Sequence, residues 1–388
     1  MSAVGAKGAA CSAIEALSAG LACPRCHSPL APDVRGEALV LRCAGQHPEL
    51  SFPLLDGAVP VLVDAPLPTL GRAAIDLREL VRANDAWLQR LDDKLGGQLA
   101  GSPTAERLAR LRRGEAINRA LLERVFALVK KGLTPDDVLD GATLPAAATP
   151  YSRDFNYILA YLRRDFGGRA ESEAEIAVLE AAIRAELDRH GYERGPALVL
   201  GAGVGRIAWS LQSLFPRVLA IDSSIVMAAL FRLLARGPLR FCELNLNNAR
   251  ARADQCVDVE AALPAPIVGS RLDYAVADAT RLPVPDGSQA AIVSVYFTDV
   301  VPLSRLAPEI ARALAPGGLF IHLGPVSYHF QDVDEQVSAE ELAGRFAGYG
   351  FEVKTPRIVR NTLLKSSALL DATIHDNVCF SAVKKVDP

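Results

Sequence analysis

Three groups of residues have types and spacings that could do chemistry. In the first, the apolar run Ala197 to Leu200 meets Gly201, Gly203 and Gly205 at every second position, and an amphipathic run follows from Arg206. This is the strand, glycine turn and helix start of a nucleotide-binding βαβ unit. Glycine suits such a turn because a Cβ would block a ligand from the backbone, and because the turn uses φ values that other residues avoid. Arg206 stands where a dinucleotide fingerprint wants its third glycine, which disfavours a nicotinamide or flavin. A second apolar run, Val218 to Ile221, ends in Asp222, 17 residues after Gly205, and a carboxylate there can accept both hydrogens of a ribose diol. The bland alternative is a bare turn in an alanine-rich chain. The second group is Cys23, Cys26, Cys43 and His47, a C-x2-C…C-x3-H pattern. Three thiolates and one imidazole satisfy Zn²⁺ tetrahedrally and leave no open position, so such a site is structural. Ordinary buried thiols are the alternative. His27 adjoins the knuckle but does not match the second pair, and reads as surface. The third group, Asp299, His329 and His375, is far apart in sequence and takes its meaning from the elements that carry it.

Those elements come from a chain of 388 residues, half of them apolar and 22% charged, enough for two or three domains and a large core. A net charge of −3 gives no global attraction to a polyanion. No apolar run approaches the ~20 residues that span a bilayer. Glu15 interrupts the weakly apolar start and no basic run precedes it, so no signal peptide is read. Seven cysteines, an odd count with three clustered, argue against a disulfide framework and for a reducing compartment, hence a cytoplasmic location.

Residues 1–64 read as a zinc-ribbon module and 65–150 as a helical segment with a linker from Leu139 to Pro150; 151–388 is the catalytic unit. Apolar residues three and four apart predict helices over Ile75 to Leu91 and Ala105 to Val129. Arg107, Arg110, Arg112 and Arg113 form a basic stripe there, read as a solvated helix face or, less readily, as a contact for RNA or an acidic partner. Helices over Tyr151 to Phe166 and Ala174 to His190 lead into the glycine turn. Further strands are predicted at Leu272 to Ala277, Ala291 to Phe297, Leu319 to Leu323, Phe351 to Val353 and Val378 to Val383, with helices at Ile225 to Ala235 and Leu303 to Leu314. Pro316-Gly317-Gly318 closes the last of these helices. The polar stretch up to Gly269 gives no clear period. Alternating strands and helices imply an α/β fold, a parallel sheet with helices on both faces.

The glycine turn with Asp222 resembles the S-adenosylmethionine site of class I methyltransferases, whose ligand has a ribose but no phosphate, and implies their Rossmann-like sheet. Asp278, at the end of its strand, is then placed to hydrogen-bond the adenine amine. The cysteine module resembles the zinc ribbon of bacterial ribosomal-RNA guanine methyltransferases, and Phe52 to Leu62 resembles the strand pair of the small activator subunit of tRNA methyltransferases. The likeness becomes specific at Leu323 to Phe330. With Pro316-Gly317-Gly318 before it, this stretch resembles the "PGG…HLGPxxYHF" block of the carnosine N-methyltransferase family, which methylates an imidazole nitrogen of a histidine dipeptide. Arg164-Asp165-Phe166 resembles the family's "RDW", Gly201 to Trp209 its "GAGLGRLAWE", Phe297-Thr298-Asp299 its "FFID", and Tyr349-Gly350-Phe351 its "YGF". The resemblance spans about 60% of the chain. It implies cofactor contacts at Arg164, Gly201, Asp222 and Asp278 and substrate contacts at Asp299 and His329. Asp222 replaces a usual glutamate, and Thr373-Ile374-His375 stands where the family has a tyrosine cluster.

Residue chemistry supports the same group independently. Ligands of open α/β sheets sit beyond the carboxyl ends of the strands. Asp299 and His329 follow two such strands, and the antiparallel last strand that the methyltransferase resemblance implies brings His375 to the same edge. Asp299 would orient an acceptor N–H or ammonium, and His329 would bind the acceptor or take its proton. The alternatives are a helix N-cap for Asp299 and satisfied buried imidazoles for His329 and His375. His322, inside a strand, reads as core. Three functions compete: methylation of a small imidazole- or amine-bearing metabolite or peptide, methylation of RNA held by the ribbon and basic stripe, and a non-catalytic docking platform. Overall acidity and the lack of an N-P-P-Y-type tetrapeptide disfavour the second; the glycines with Asp222 and Asp278 disfavour the third.

Overall fold

The structure is a computed structural model and describes residues 15, 17–36, 38–97, 101–145, 154–191, 195–267 and 269–386. The far end of the expected linker, the start of the helix placed at Tyr151 and most of the weakly apolar N-terminus lie outside the described residues.

A four-strand antiparallel meander comes first: β1 (Leu30–Arg35), β2 (Ala38–Cys43), β3 (Ser51–Leu55) and β4 (Val59–Leu62). Three helices follow, each with proline in its first turn, where a missing N–H costs nothing: α1 (Pro66–Gly96), α2 (Pro103–Lys130) and α3 (Pro135–Thr143). Thr134 and Asp137 cap α3 reciprocally, so the first part of the expected linker is helical. Next come α4 (Phe155–Phe166), capped by Asp154, and α5 (Ala170–His190), which stops at left-handed Gly191. The C-terminal unit continues with β5 (Ala197–Leu200), α6 (Arg206–Leu211), β6 (Val218–Asp222) and α7 (Ile225–Leu234). The polar stretch without a clear period is a separate hairpin, β7 (Leu239–Leu244) and β8 (Cys256–Ala261), packed on α2. The chain ends with β9 (Leu272–Ala277), β10 (Gln289–Val295), α8 (Leu303–Ala313), β11 (Leu314–Gly324), α9 (Ala339–Gly348), β12 (Phe351–Val353), β13 (Arg357–Leu363) and β14 (Thr373–Lys384).

One sheet runs in the order β1-β2-β3-β4-β9-β6-β5-β10-β11-β14-β12, with β13 also paired to β14. From β9 to β11 the strands are parallel, and β14 runs antiparallel to β11. The sheet does not stop at residue 64. Val61 and Leu62 pair in parallel with Val276 and Ala277, so the cysteine module extends the mainly parallel sheet from its β9 edge. Alternation along β5 shows how both faces are covered. Ala197 and Val199 join a core with α2, α4, α5 and α7; Leu198 and Leu200 join one with α8, α9 and the ribbon's Leu41 and Phe52. None of the described helices is long and apolar enough to cross a membrane.

Candidate active site

The carboxyl ends of β5, β6, β10 and β11 open into a cavity of about 690 Å³. Its floor is the turn after β5. Gly201 has φ +56°, and a Cβ there would lie 2.3 Å from the Phe297 ring, so both backbone conformation and space demand glycine. Gly203, also left-handed, donates its N–H to Asp222 Oδ2 at 2.9 Å, while Ser224 N donates to Oδ1 at 2.8 Å. Gly205 caps α6 just behind the turn and does not line the cavity. Burial pushes the Asp222 carboxyl up to about 6, against the pull of those two N–H groups.

Arg164 reaches the cavity from α4. Its Nε donates to Asp165 Oδ1 at 2.7 Å, its Nη1 pairs with Glu175 Oε1 at 3.8 Å, and its guanidinium lies 5.1 Å over the Tyr161 ring, leaving Nη2 for a carboxylate. Asp165 is fully buried, and its Oδ2 has no hydrogen-bond partner among the described residues. Asp278 does not line the cavity. It is exposed, and its Oδ1 accepts from Thr280 N at 2.8 Å and Thr280 Oγ1 at 2.9 Å, a local turn that faces the carboxylate inward on itself.

At the other end Asp299, His329 and His375 all line the cavity. Two loops are stitched together there: His329 N donates to the Asp299 carbonyl at 3.0 Å, and Ser327 N to the Asp299 carboxylate at 3.3 Å. Burial raises the Asp299 carboxyl, with positive charge on His329 or His375 pulling it back. The N-cap of α8 is Pro302, without a side-chain cap, so Asp299 is not spent on that helix. His329 is exposed rather than a satisfied core imidazole, and His375 is half-buried, its ring centroid 6.5 Å from that of Tyr296. His322 is core: Nδ1 is 2.9 Å from Thr298 Oγ1, which is itself 2.7 Å from Ser294 Oγ. Burial lowers the His322 imidazole to about 4, and its Nε2 has no partner among the described residues.

Sequence reasoning does not find the aromatic wall. Tyr157 and Tyr161 of α4 meet edge to face at 5.3 Å, and left-handed Tyr296 accepts from Asn361 Nδ2 at 3.3 Å. Tyr157, Tyr161 and Arg164 are i, i+4 and i+7, which a helical-face reading could have grouped. Nor does it find Thr69, Arg72 and Asp76 of α1, also in the lining. Four lining carboxylates (Asp76, Asp165, Asp222 and Asp299) face two guanidinium groups (Arg72 and Arg164), a balance that suits a cationic ligand.

In the ribbon, ligand atoms of Cys23, Cys26 and Cys43 lie within 4.8 Å of one another, and Gly45 N donates to Cys43 Sγ at 3.4 Å. Burial takes the Cys23 thiol up to about 11. It pushes Cys26 up too, but Ser28 and the neighbouring thiols outweigh it and bring Cys26 down to about 6. The donor set suits Zn²⁺. His47 is not in the cluster: its Nδ1 turns to Glu49 Oε1 at 3.4 Å. His27 is half-buried with φ +56°. In the basic stripe Arg112 pairs with Asp92 and Arg113 with Asp258, which neutralises half of it.

The strand order, the antiparallel β14 and a cavity floored by the Gly201–Asp222 unit define a Rossmann-like, class I methyltransferase fold. The family model described as carnosine N-methyltransferase matches residues 151–386, and the chain belongs to that family. Carnosine N-methyltransferase of Mus musculus is 26% identical over 201 residues, 46% of either chain. That of Rattus norvegicus is 24% identical over 261 residues, 61% of this chain and 62% of its own. The chain thus matches between about half and three-fifths of those relatives' length. The PH0226 protein of Pyrococcus horikoshii superposes with a TM-score of 0.40 at 16% identity, covering 59% of this chain and 98% of its own.

Proposed function

We propose that the chain transfers a methyl group from S-adenosylmethionine to a nitrogen of a small imidazole- or amine-bearing metabolite or peptide, carnosine being the acceptor the family's name supplies. One observation carries this reading: Asp299, His329 and His375 share a cavity with Gly201, Gly203, Asp222 and Arg164. When bound, the cofactor supplies an activated methyl and a neutral leaving group. The chain's own residues then act mainly by placement. The remaining lone pairs of Asp222 accept the ribose hydroxyls, and Nη2 of Arg164 holds the cofactor's carboxylate, with Nη1 kept on Glu175. Asp299 accepts from the acceptor's N–H and turns its lone pair toward the methyl, and His329 takes the proton that the product cation sheds, from the ammonium of an amine or from the unmethylated nitrogen of an imidazole. His375, beside Tyr296, closes the acceptor end. Alignment of this kind supplies up to ~7–11 kcal/mol, and positioned proton transfer about 10²–10⁴-fold.

We infer further that Cys23, Cys26 and Cys43, with His47 swung in from Glu49, hold a structural Zn²⁺, and that the protein works in the cytoplasm. The first test is transfer of labelled methyl to a panel of histidine-containing small molecules, peptides and total RNA. Label on the small imidazole compounds alone is the expected result; label on RNA, or on nothing despite cofactor binding, overturns the reading.

A further inference from the structure

One side chain is tied to the glycine turn without lining the cavity itself. Tyr274 of β9 is 3% exposed, and its Oη donates to the Gly203 carbonyl at 2.5 Å. Its register partner on β6 is the fully buried Ala220, and so small a neighbour leaves room for the ring to lie across β6 to the turn after β5. The ring stacks on Phe231 of α7, with centroids 4.7 Å apart and planes 23° apart. Both rings come up against Gly205, where a Cβ would lie 3.5 Å from Phe231 and 3.9 Å from Tyr274. The hydroxyl therefore reaches the turn from the core side, on a ring whose place is set by packing.

Gly203 is thereby held at both of its backbone groups, its N–H on Asp222 Oδ2 and its C=O on Tyr274. The turn needs such a restraint. Gly201, Gly203 and Gly205 are all left-handed, and glycine has more freedom to lose than any other residue. Ala202 N donates to the Ile221 carbonyl and Gly205 N to that of Ala202, so the neighbours are fixed by backbone bonds, whereas Gly203 is fixed by two side chains. Burial, with the Asp222 and Asp165 carboxylates close by, pushes the Tyr274 hydroxyl well above its ordinary range, so it remains a protonated donor across neutral pH.

We propose that Tyr274 is a positioning residue for the cofactor: by holding the Gly203 carbonyl, its hydroxyl keeps the Gly203 N–H on Asp222 and that carboxylate aimed at the ribose. This rests on the function proposed above and deepens its cofactor end. Tyr274→Phe is the test, because it keeps the ring and its stack and removes one oxygen. On the full chain, calorimetry with S-adenosylhomocysteine should give about five- to tenfold weaker binding above pH 7, since a buried carbonyl loses its donor. At saturating cofactor, kcat should stay within about twofold of native. A loosened amide also lowers the Asp222 carboxyl less, so the acid fall of affinity, expected near pH 6 in the native chain, should move to higher pH by about half a unit. The substitution leaves the other charged groups around Asp222 in place: Arg164 and Asp165 of α4, the Arg72–Asp76 pair of α1, and Arg206 of α6, paired with Glu173. Without cofactor, deuterium uptake in the peptide covering the turn should rise, while that in the β10 peptide should not. Phe231→Leu is the control: it removes the stack and keeps the hydroxyl, so it should lower Tm and leave the pH midpoint where it was. Native affinity or an unmoved midpoint in Tyr274→Phe, or an equal shift in Phe231→Leu, overturns the proposal and leaves methyl transfer standing. A native chain that does not bind S-adenosylhomocysteine overturns both.

Discussion

The two ends of the cavity are built differently. Apart from Arg164, the cofactor end is local: Gly201, Gly203 and Asp222 lie within one βαβ unit, and the amides of Gly203 and Ser224 hold the carboxylate directly. The acceptor end is assembled at long range, from the loop after β10, the loop after β11 and the start of β14, joined by two backbone N–H groups aimed at Asp299. A local unit is specified by conformation, and so by glycine. An assembled one is specified by topology, so its side chains can change without disturbing the sheet. On the function proposed above, the cofactor end would be the locally specified half of the site, and the acceptor end the half in which substrate choice would be made.

The sharpest way to break that contrast is to remove the group that should matter at one end only. Asp299→Ala should cut turnover by about 10²–10⁴-fold, while S-adenosylhomocysteine binds within about twofold of native by calorimetry. Equal losses of turnover and binding would mean that the two ends are a single unit. Asp222 is the counterpart. Its carboxyl, raised to about 6 by burial, must be ionised to accept the ribose hydroxyls with full strength. Cofactor affinity should then be level above pH 7 and fall below pH 6, approaching tenfold per pH unit. Asp222→Asn should bind weakly with no such slope. A flat native profile between pH 5 and 7 would remove Asp222 from the ribose.

Zinc removal should act on neither end directly. Because β4 is paired with β9 and leads into α1, chelation at the cysteine cluster should lower Tm and weaken cofactor binding through α1, leaving kcat at saturating cofactor within about threefold of native. Cys26→Ser should reproduce both changes. A large fall in kcat with native cofactor affinity would instead connect the ribbon to the acceptor end.

The same contrast explains what could be read without coordinates. Gly201, Gly203 and Asp222 were legible because local spacing carries their geometry. Asp299, His329 and His375 were legible only through the rule that strand ends share an edge, and the cavity bears out their meeting, though not their roles. Asp278 follows the same rule yet turns away, since a local Asx turn with Thr280 competes for its carboxylate. Tyr157, Tyr161 and Asp76 were hidden because a helical face lining a cavity has the same period as one lining a core. The β7–β8 hairpin was hidden because its strands alternate with polar residues around a long connection, and β13 because it needs β14 as a template.

The smallest effect expected is on stability, where the two ends oppose each other. Asp222 has its pKa raised on folding from 3.8 to about 6, so the stability it contributes is full below 3.8 and lost as pH rises through about 6. His322, behind Asp299, has its pKa lowered from 6.5 to about 4, so its contribution is present above 6.5 and lost as pH falls through about 4. Between pH 4 and 6 the two slopes have opposite signs, each at most about 1.4 kcal/mol per pH unit, and the native chain should show little net change from this pair. Asp222→Asn unmasks the histidine, and its unfolding free energy should drop as pH falls from 6.5 to 4. His322→Phe unmasks the aspartate and should gain stability over the same interval relative to native, while also relieving the unpartnered Nε2. Its kcat should fall less than about tenfold, because the backbone amides of Ser327 and His329 still hold Asp299 and Thr298 keeps Ser294. Denaturant titrations of the two variants at pH 4.5 and 6.5 check both signs at once. Slopes of the same sign would show that the buried groups at the two ends do not titrate independently, and that the separation of a locally specified cofactor half from an assembled acceptor half is wrong.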